Sequence, residues 1–564
     1  MVKFITITGG IISSLGKGSC LSSIGFLLKQ SGYRITAIKI DPYLNVDAGT
    51  IAPKEHGEVF VLSDGGECDL DLGNYERWMD LSLTRNHNIT YGKIMSLILN
   101  KERKGEYLGQ TIQIIPHFVD EIINWIQSLT TDIDICLIEV GGTVGDIESA
   151  PFIEALRQLQ WRHGNDSMCN IHVSLLPIIG GEHKTKPTQQ SVQKIRALGL
   201  TPDIVICRSA SAISDSIKNK LSMFCNLQVE HVLDCHDVQS LYDVPLLLHQ
   251  QNVINIICSK LKMAMPEHVD IDAWLQLTQN IRDVGNSIGP KYHIAMVAKY
   301  AGYQDTYTSI VHALKHASYK IGVDIVINWI DTNTYDEIHH TFTPESKNML
   351  EKCDGILVPG GFGDRGIEAK IHAATYARIN NKPYFGICLG MQIALIEFAR
   401  NVLGYTNANS EEFATNDDKN ILIYMPEISK THLGGTMRVG TRSTRLDVNS
   451  KSFKLYNAYG KIKYDDIIEE RHRHRYEFDS KYLDEFEAAG CSFVGKSYEY
   501  VVSNDNMGAS SSTNLLVNKG QDIRASIIEY PGHKFFVGCQ FHPEFKSRPL
   551  DPCPLFLGFI ESML

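Results

Sequence analysis

The stretch "KFITITGGIISSLGKGSCLSSIGFLLKQ", Lys3–Gln30, has the pattern of a strand, a glycine-rich turn and a helix in direct succession. Such a turn can aim backbone N–H groups at an anion, because glycine tolerates the angles that this requires. It departs twice from the P-loop pattern G-x-x-x-x-G-K-[ST]: five residues separate Gly10 from Gly16, and Gly18 follows Lys17 where a hydroxyl is expected. The turn still predicts phosphate binding through Lys17, with an ordinary strand–helix turn and a solvated lysine as the alternative.

The same alternation of strand and helix continues along the chain. In the first half, helical patterns follow the apolar runs "FITIT", "ITAIKI", "DICLIEV", "HVSLLPII" and "DIVICR". After a polar segment with glycine and proline, a second series begins with "YHIAMVAKY", "VDIVINWI", "DGILVPGG" and "KPYFGICLG". We therefore predict an α/β protein of two doubly wound, mostly parallel-sheet domains, residues 1–277 and 291–564, joined by a linker at 278–290.

Composition narrows the class of protein. A chain of 564 residues is too long for one hydrophobic core, and 43% hydrophobic with 21% charged residues is typical of globular proteins. The net charge of -11 argues against a broad surface for nucleic acid or an anionic membrane. The 13 cysteines are odd in number and lack C-x-x-C spacing. No signal-peptide pattern is present, and no apolar run approaches the roughly 18 residues of a membrane span. We expect a cytoplasmic protein.

A second strand–turn–helix pattern, "PYFGICLGMQIALIEFAR", carries a candidate nucleophile. Cys388 stands between Gly386 and Gly390, where we expect it to be exposed at a helix N-terminus that stabilises a thiolate. A buried structural cysteine is the alternative. Further on, "GCQFHPEF" places His542 and Glu544 two apart in an expected extended stretch, so that both side chains share one face. Glu544 could then orient His542 while its imidazole takes the proton of Cys388.

The order Cys…His-x-Glu, together with the "PGGFG" turn at Pro359–Gly363, resembles class I glutamine amidotransferases, which hydrolyse glutamine through a thioester and release ammonia. The resemblance implies an oxyanion hole of backbone N–H groups near Gly361 and Leu389. It also implies three glutamine contacts: Gln392, Glu412 facing the ammonium, and Arg475 on the α-carboxylate. The run "ERHRHRYE" around Arg475 would by charge alone suggest nucleic-acid binding, which the acidic chain disfavours.

Five further motifs extend the resemblance over essentially the whole chain. The stretches "KIDPYLNVDAGT", "HGEVFVLSDGGECDLDLGNYER", "NKERKGEYLGQTIQIIPH", "EVGGTVGDIES" and "GGEHKTKPTQQSV" resemble the CTP synthase family. Members are ligases of pyrimidine biosynthesis that aminate UTP to CTP with ATP through a 4-phosphorylated UTP intermediate, using ammonia passed from the glutaminase domain. Two alternatives stay open: an amidotransferase-coupled ATP enzyme acting on a carboxylate, as in cobyric acid synthesis, and a non-catalytic filament-forming or scaffold protein on the same fold.

The resemblance also implies roles in the first domain. Lys17 and Lys39 supply positive charge near the transferring phosphoryl group. Asp71 and Glu139 are hard oxygen ligands for Mg²⁺ and stand in for the hydroxyl that Gly18 lacks. The implied ATP positions are Ser14, Leu15, Gly16, Lys17, Gly18, Ser19 and Asp71. The implied UTP positions are Ser13, Asp146, Ile147, Glu148, Lys184, Thr185, Lys186, Pro187, Thr188, Gln189 and Lys220.

Regulation and assembly follow from the resemblance alone. Leu108, His56 and Arg438 correspond to positions of the GTP activator response and of ammonia passage. CTP is implied as an inhibitor that overlaps the UTP triphosphate site, and the family assembles as a homotetramer, with filaments in some members. The polar stretch Ser503–Asn514 predicts a surface loop, to which we assign no chemistry.

Overall fold

The computed structural model describes residues 2–10, 12, 15–414, 418–426, 428, 434–497 and 523–564. Ser13, Ser14 and the segment Ser503–Asn514 lie outside these residues. The chain divides into two compact units, one formed by Met1–Ile51 with Gly66–Asp283 and the other by Ala52–Gly65 with Val284–Leu564.

This division differs from the predicted contiguous domains in one segment, residues 52–65. The segment belongs to the second unit because it makes polar contacts there: both Glu58 carboxylate oxygens accept from the Ser309 backbone N–H at 3.1 Å, and Arg471 Nη1 donates to the Val61 carbonyl at 2.9 Å. The sequence does not predict that residues 52–65 belong to the second unit. Strand and helix patterns are local signals, whereas these contacts join residues far apart in the chain.

The predicted linker at 278–290 was wrong over most of its length. A helix, Asp272–Asn286, covers it to residue 286. Its apolar side chains Trp274, Leu277 and Val284 are buried at helical spacing, which outweighs the polar composition of the segment.

The first unit is built on a parallel sheet. Its strands, in order across the sheet, are Val232–His236, Ile204–Ser209, Met168–Leu175, Lys3–Gly10, Ile135–Val140, Ile35–Asp41 and Asn88–Thr90. The strands Ile35–Asp41 and Ile135–Val140, which both lie inside the sheet, are buried along their whole length, as expected for a parallel sheet with helices on both faces. All carboxyl ends therefore meet at one edge, where ligands bind in such folds.

The α-helices of this unit follow the strands in alternation. They are Lys17–Gln30, Leu70–Met79, Tyr91–Arg103, Val119–Ser128, Ala150–His163, Lys186–Ala197, Asp215–Cys225, Val244–Gln250, Val253–Leu261 and the helix Asp272–Asn286 that ends it. Short 3₁₀ and π segments lie at Arg85–His87, Ile114–Phe118, Asn165–Ser167, Val229–His231 and Leu241–Asp243, and short strands at Glu67–Asp69, Ile178–Ile179 and Glu182–His183.

The second unit contains a mixed sheet. Its strands, in order, are Asp324–Asp331, Lys291–Ala298, Gly355–Val358, Tyr384–Ile387, Phe536–Cys539, Arg524–Glu529, Ser492–Ser497, Arg438–Leu446 and Ile467–His474. Pairing is parallel from the first strand to Phe536–Cys539 and antiparallel beyond it. Along Lys291–Ala298, Ala295 and Val297 pack into one core and Ile294, Met296 and Ala298 into another. Both faces of the sheet are therefore covered, and the predicted α/β class is confirmed.

Helices cover this sheet as they do in the first unit. The α-helices are Pro53–His56, Thr308–Ile321, Pro344–Lys352, Ile367–Ile379, Leu389–Asn401, Lys451–Ala458, Leu483–Ala488 and Pro554–Glu561. The 3₁₀ segments are Gln304–Tyr307, Thr332–Thr334, Ser480–Tyr482 and Pro543–Lys546, and the short strands are Val59–Val61, Tyr335–Asp336, Thr341–Phe342, Ala408–Ser410, Lys419–Tyr424 and Tyr476–Phe478. Throughout the described part of the chain, helices with the length and apolarity needed to cross a bilayer are absent.

Candidate active sites

The glycines of the first turn are required by close contacts. A β carbon on Gly9 would lie 2.8 Å from Lys17 Cδ, and one on Gly10 would lie 1.6 Å from Ser191 Oγ. Gly16 precedes the helix with φ of 85°, a left-handed conformation that glycine adopts without strain. The turn can therefore fold Lys17 back over the end of the strand.

Lys17 is buried at the start of its helix. Its side chain reaches the loop after a neighbouring strand, where Nζ donates to the Gly142 carbonyl at 2.9 Å. Burial lowers the pKa of Lys17, although the nearby Glu139 carboxylate counteracts part of that effect. The lysine is therefore held in place at the edge of the sheet rather than solvated, which disfavours the alternative of a plain surface turn.

Lys39 is the centre of a buried charge cluster. Its Nζ donates to Glu139 Oε1 at 2.8 Å, contacts the Asp71 carboxylate, and lies 3.9 Å from Asp41 Oδ1. Burial alone would lower the pKa of Lys39, but Asp71, Glu139 and Asp41 outweigh it and raise the pKa well above its usual value. Lys39 and Glu139 are register partners on adjacent parallel strands, so the topology itself brings them together.

The missing hydroxyl of the loop has a steric explanation. A β carbon on Gly18 would lie 2.5 Å from Asp71 Oδ1 and 3.4 Å from Glu139 Oε2. The two carboxylates thus occupy the space that a serine or threonine side chain would need. Burial and the Asp71 charge raise the pKa of Glu139, and burial raises that of Asp41 to about 6, so the cluster favours a bound cation.

A cavity of about 320 Å³ adjoins the turn. Gly16 and Ser19 line it together with Arg208, Asp237 and Leu241, among others. Arg208 Nη2 donates to Asp237 Oδ1 at 2.8 Å, which closes one wall. Sequence reasoning missed these last three residues, because no motif marks them and only the ends of two strands bring them to the loop.

The predicted UTP residues lie on three neighbouring segments of the first unit. In the loop after Ile135–Val140, Asp146 Oδ2 accepts from the Thr143 backbone N–H at 3.0 Å, while Ile147 is 88% exposed and Glu148 is exposed. A β carbon on Gly145 of this loop would lie 3.6 Å from Lys194 Cδ, on the helix Lys186–Ala197. The loop and that helix are thus in contact.

The remaining predicted UTP residues lie just before that helix, in its first turn and on the next helix. The Nζ of Lys186 lies 5.7 Å from the centroid of the Phe224 ring. Phe224 is on the helix Asp215–Cys225, which also carries the exposed Lys220. Lys184 pairs with Glu182 at 2.7 Å. Thr185, Thr188 and Gln189 are buried and Pro187 opens the helix, so these four residues also have structural roles.

In the second unit, Cys388 begins the helix Leu389–Asn401. Its φ of 52° is unusual for a side-chain-bearing residue, and it indicates a strained turn. A β carbon on Gly386 would lie 2.6 Å from the Gly390 carbonyl carbon, and one on Gly390 would lie 2.1 Å from the Val358 carbonyl oxygen. The spacing G-x-C-x-G is therefore dictated by packing. The expected exposure of Cys388 was wrong: the residue is 3% exposed, because surrounding backbone closes over it.

His542 is oriented by Glu544 as predicted, but by a different local structure. Its Nδ1 lies 2.8 Å from Glu544 Oε1, yet Glu544 lies in the 3₁₀ segment Pro543–Lys546 rather than in an extended stretch, because the strand already ends at Cys539. Burial would lower the pKa of His542, but the charges of Glu544 and Cys388 outweigh it and raise it to about 10. The raised pKa favours the protonated imidazole, the state that stabilises a neighbouring thiolate.

Two further groups contact the cysteine sulfur. Cys388 Sγ lies 3.6 Å from the Arg473 carbonyl and 3.6 Å from Gln540 Nε2. Gln392 Nε2 in turn donates to Gln540 Oε1 at 3.2 Å and to the Tyr476 carbonyl at 3.0 Å. Gln540 was missed from sequence, although its position two residues before His542 is a signal that could have found it.

The "PGGFG" turn lies directly against these residues. A β carbon on Gly360 would lie 2.9 Å from His542 Cε1 and 3.5 Å from Cys388 Cβ, and one on Gly361 would lie 3.6 Å from Leu389 Cδ2. A cavity of about 180 Å³ reaches Cys388 and His542 along this turn. Gly361 therefore lines the same cavity as Cys388, and Leu389 directly follows Cys388 at the start of its helix.

The predicted glutamine contacts border the same turn. Glu412 Oε1 accepts from the Gly363 backbone N–H at 2.6 Å, and burial raises the pKa of Glu412. The Arg475 guanidinium lies 5.9 Å from the Phe362 ring centroid. A carboxylate and a guanidinium therefore both lie against the turn that contacts Cys388, and an amino acid substrate would need one of each.

The three positions linked to activation are divided between the two units. His56 and the buried Arg438 belong to the second unit, and Leu108 belongs to the first, where its side chain is 85% exposed.

The fold and the cysteine site define a class of protein: an amidotransferase-type enzyme in which a Cys–His–Glu centre accompanies a unit with a phosphate-type loop. The family model for the CTP synthase N-terminus matches residues 3–263, and the model for class I glutamine amidotransferase matches residues 303–514 and 499–562. A CTP synthase of Dictyostelium discoideum is 48% identical, with 100% of this chain and 99% of the relative covered. A CTP synthase of Schizosaccharomyces pombe is 44% identical over 100% of this chain and 92% of the relative.

A solved structure described as the glutaminase domain of Trypanosoma brucei CTPS with bound acivicin is 33% identical, covers 48% of this chain and 93% of that one, and has a TM-score of 0.40. The chain belongs to the CTP synthase family. It is a glutamine-hydrolysing ligase that converts UTP to CTP in an ATP-dependent reaction, and the alternatives of a scaffold protein or of a ligase acting on a carboxylate are not favoured.

Proposed function

We propose that glutamine is hydrolysed at Cys388. The sulfur attacks the side-chain amide carbon, the Sγ–C bond forms, and the carbonyl electron pair moves to oxygen, facing the backbone N–H groups near Gly361 and Leu389. His542, oriented by Glu544, gives its proton to the leaving ammonia and then activates the water that cleaves the thioester. Glu412 and Arg475 bind the ammonium and the carboxylate of glutamine, and Gln392 holds Gln540 against the sulfur.

In the first unit, the proposed chemistry is phosphorylation of the UTP O4 by ATP. Attack of ammonia on C4 then expels phosphate and leaves CTP. Lys17 and Lys39 stabilise the charge of the transferring phosphoryl group, because a buried cation acts strongly in a site with little water. The turn residues Leu15, Gly16, Gly18 and Ser19 bind ATP phosphates, and the cavity lined by Arg208, Asp237 and Leu241 receives the rest of the nucleotide.

Asp71 and Glu139 fit the magnesium ion that the family implies. Their carboxylates converge on one cationic group, the Lys39 ammonium, and Gly18 leaves room for both. They would hold Mg²⁺, which supplies charge neutralisation to the ATP phosphates when bound. Lys39 balances only one of these two carboxylate charges, so negative charge remains at the site for a bound cation.

The UTP residues and the regulators remain assigned by family resemblance. We propose that Asp146, Ile147 and Glu148, the segment Lys184–Gln189, and Lys220 bind UTP. CTP would inhibit by overlapping its triphosphate, and Leu108, His56 and Arg438 would serve GTP activation and ammonia passage. A homotetramer in the cytoplasm completes the proposal, with filaments known for some members of the family.

The proposal depends chiefly on one observation: Lys39 joins Asp71 and Glu139 beside the turn that carries Lys17. The test is the ultraviolet absorbance change with UTP, ATP and Mg²⁺, supplied with either glutamine or free ammonia. We expect CTP from both nitrogen sources. Product from neither source, in a protein folded by circular dichroism, would overturn the proposal.

A further inference from the structure

Lys370 is a buried lysine to which the proposed chemistry assigns no role. It lies in the first turn of the helix Ile367–Ile379 and is 0% exposed. Within the described residues its Nζ makes no hydrogen bond and no ion pair. A lysine without a partner is costly to bury, and an apolar side chain would fill the same space without that cost. Buried ionisable residues of this kind cluster at functional sites, so the groups around Lys370 indicate what it does.

The surroundings are the oxyanion side of the cysteine site. A β carbon on Gly361 would lie 3.7 Å from Lys370 Nζ, whereas one on the preceding Gly360 would face His542 and Cys388. The turn Gly360–Gly361 therefore contacts the catalytic pair on one side and the Lys370 amine on another. The Lys370 Nζ thus lies close to Gly361, the residue whose backbone N–H is proposed to meet the oxyanion.

The other charged groups that act on Lys370 are few. Burial lowers its pKa to about 7, and the Lys299 and Arg365 charges contribute, while Glu412 and Cys388 oppose the shift. Lys299 Nζ donates to the Phe362 carbonyl at 2.7 Å, so it belongs to the same turn. A new negative charge on the cysteine side would favour the ammonium form of Lys370.

We propose that Lys370 is a positioning residue for glutamine hydrolysis, whose ammonium behind Gly361 stabilises the negative charge that develops on the amide oxygen when Cys388 attacks. This inference rests on the proposed glutaminase function. The Sγ–C bond forms and the carbonyl pair moves to oxygen, while Lys370 keeps its proton and touches no reacting atom. Its effect is electrostatic and passes through the Gly361 backbone, in a region of low dielectric where such a charge acts strongly.

The test compares Lys370→Met, which keeps length and removes charge, with Lys382→Met as a matched control. Lys382 is half-buried and donates to the Cys353 carbonyl at 2.7 Å, away from the cysteine site. We expect Lys370→Met to lower kcat for glutamine hydrolysis at least about tenfold with KM within about threefold, because a charge that stabilises only the transition state changes kcat. Ammonia-dependent CTP formation should be unchanged, and the control should match the unaltered protein.

Three readouts separate this role from a structural one. The kcat of the unaltered protein should fall as the pH rises through about 7, where Lys370 loses its proton, and that limb should be missing from Lys370→Met. Alkylation of Cys388 by iodoacetamide, followed by mass spectrometry, should slow several-fold at neutral pH in the variant, since the thiolate loses a neighbouring cation. Lys370→Arg, which restores a charge, should recover part of kcat.

Several results would overturn the inference. One is a kcat within about threefold of the unaltered protein; another is a loss confined to KM, which would assign Lys370 to glutamine binding through Glu412. If Lys370→Met also loses ammonia-dependent synthesis, the variant has misfolded, and Lys370→Gln takes its place with the same expected outcome. Full glutaminase activity in Cys388→Ala would instead refute the proposed function itself, so the two failures are distinguishable.

Discussion

The connection after the strand Lys3–Gly10 and the connection after the strand Tyr384–Ile387 occupy the same place in their sheets and have opposite electrostatics. Each joins a parallel strand to a helix through glycines that packing requires. Around the first turn, Asp41, Asp71 and Glu139 surround a buried lysine. Around the second, cationic side chains gather near a buried cysteine, with Glu412 and Glu544 as the counter-charges.

This difference shows that the backbone motif supplies only a place for an anion. The first site collects carboxylates that need a cation, and a cation in turn neutralises phosphates. The second collects cations that stabilise a thiolate and an oxyanion. Side chains from other strands and helices, rather than the turns, therefore decide which chemistry each site performs.

The largest expected effect separates the two sites. Cys388→Ala should abolish glutamine-dependent CTP formation, because no thioester can form, and leave ammonia-dependent formation nearly intact. Absorbance assays with both nitrogen sources measure the two activities. Parallel loss of both, in a variant folded by circular dichroism, would mean that the sites are not chemically independent.

The converse variant is Lys17→Ala. It should keep measurable glutamine hydrolysis but reduce CTP formation from either nitrogen source by about 10²-fold or more, the scale of a lost transition-state charge. Release of glutamate and formation of CTP are measured in the same samples. Ammonia-dependent synthesis above about a tenth of normal would contradict the role given to this lysine.

The carboxylates of the first site allow a test of charge at constant shape. Asp71→Asn and Glu139→Gln should each lower ammonia-dependent synthesis by about 10²-fold, since Mg²⁺ loses a hard ligand, while the Cys388 chemistry remains. In a titration with Mg²⁺, each variant should need a higher Mg²⁺ concentration to reach half of its maximal rate of synthesis. Near-normal synthesis by both variants at ordinary Mg²⁺ concentration would place the ion elsewhere.

Restoring the P-loop hydroxyl should be harmful. Gly18→Ser would bring its β carbon to 2.5 Å from Asp71 Oδ1, so the carboxylate must move. Overpacking of this kind costs about 1–3 kcal/mol, and we expect synthesis from ammonia to fall about tenfold with glutaminase unchanged. Thermal unfolding of the same sample checks stability. A fully active Gly18→Ser would show that the contact is not restrictive.

The smallest effect is on stability as a function of pH in the second unit. His542, raised to a pKa of about 10, adds stability that is complete below its ordinary value of 6.5 and is lost as pH rises through 10. Lys370, lowered to about 7 from 10.5, acts in the opposite direction, because the unfolded chain binds the extra proton between those values.

The two contributions therefore oppose each other between about pH 7 and 10. Lys370→Met should remove the Lys370 contribution and keep that of His542. The melting temperature of the variant should therefore fall more steeply with pH than that of the unaltered protein. The slope for one proton is at most about 1.4 kcal/mol per pH unit. Parallel melting profiles from pH 7 to 10 would show that the two groups do not titrate as described.

Much of the fold was predictable because its signals are local. The strands around "FITIT" and "KPYFGICLG" and the α/β class follow from hydrophobic alternation, which reports which residues a sheet buries. The linker prediction failed because the burial of Trp274 and Val284 at helical spacing was masked by polar neighbours. The roles of the candidate site residues stay predictions until the variants above are measured.

By itself, the sequence determined the two α/β halves, the candidate cysteine, the candidate histidine–glutamate pair, the loop lysine and the family, because each of these is carried by short local motifs. Only the tertiary structure decided why Gly18 has no side chain, why Cys388 is buried, that Glu58 and its neighbours belong to the second unit, and that Lys370 lies behind Gly361. These features depend on contacts between distant segments, and the burial that shifts a charge or excludes a methyl group exists only after those segments have packed.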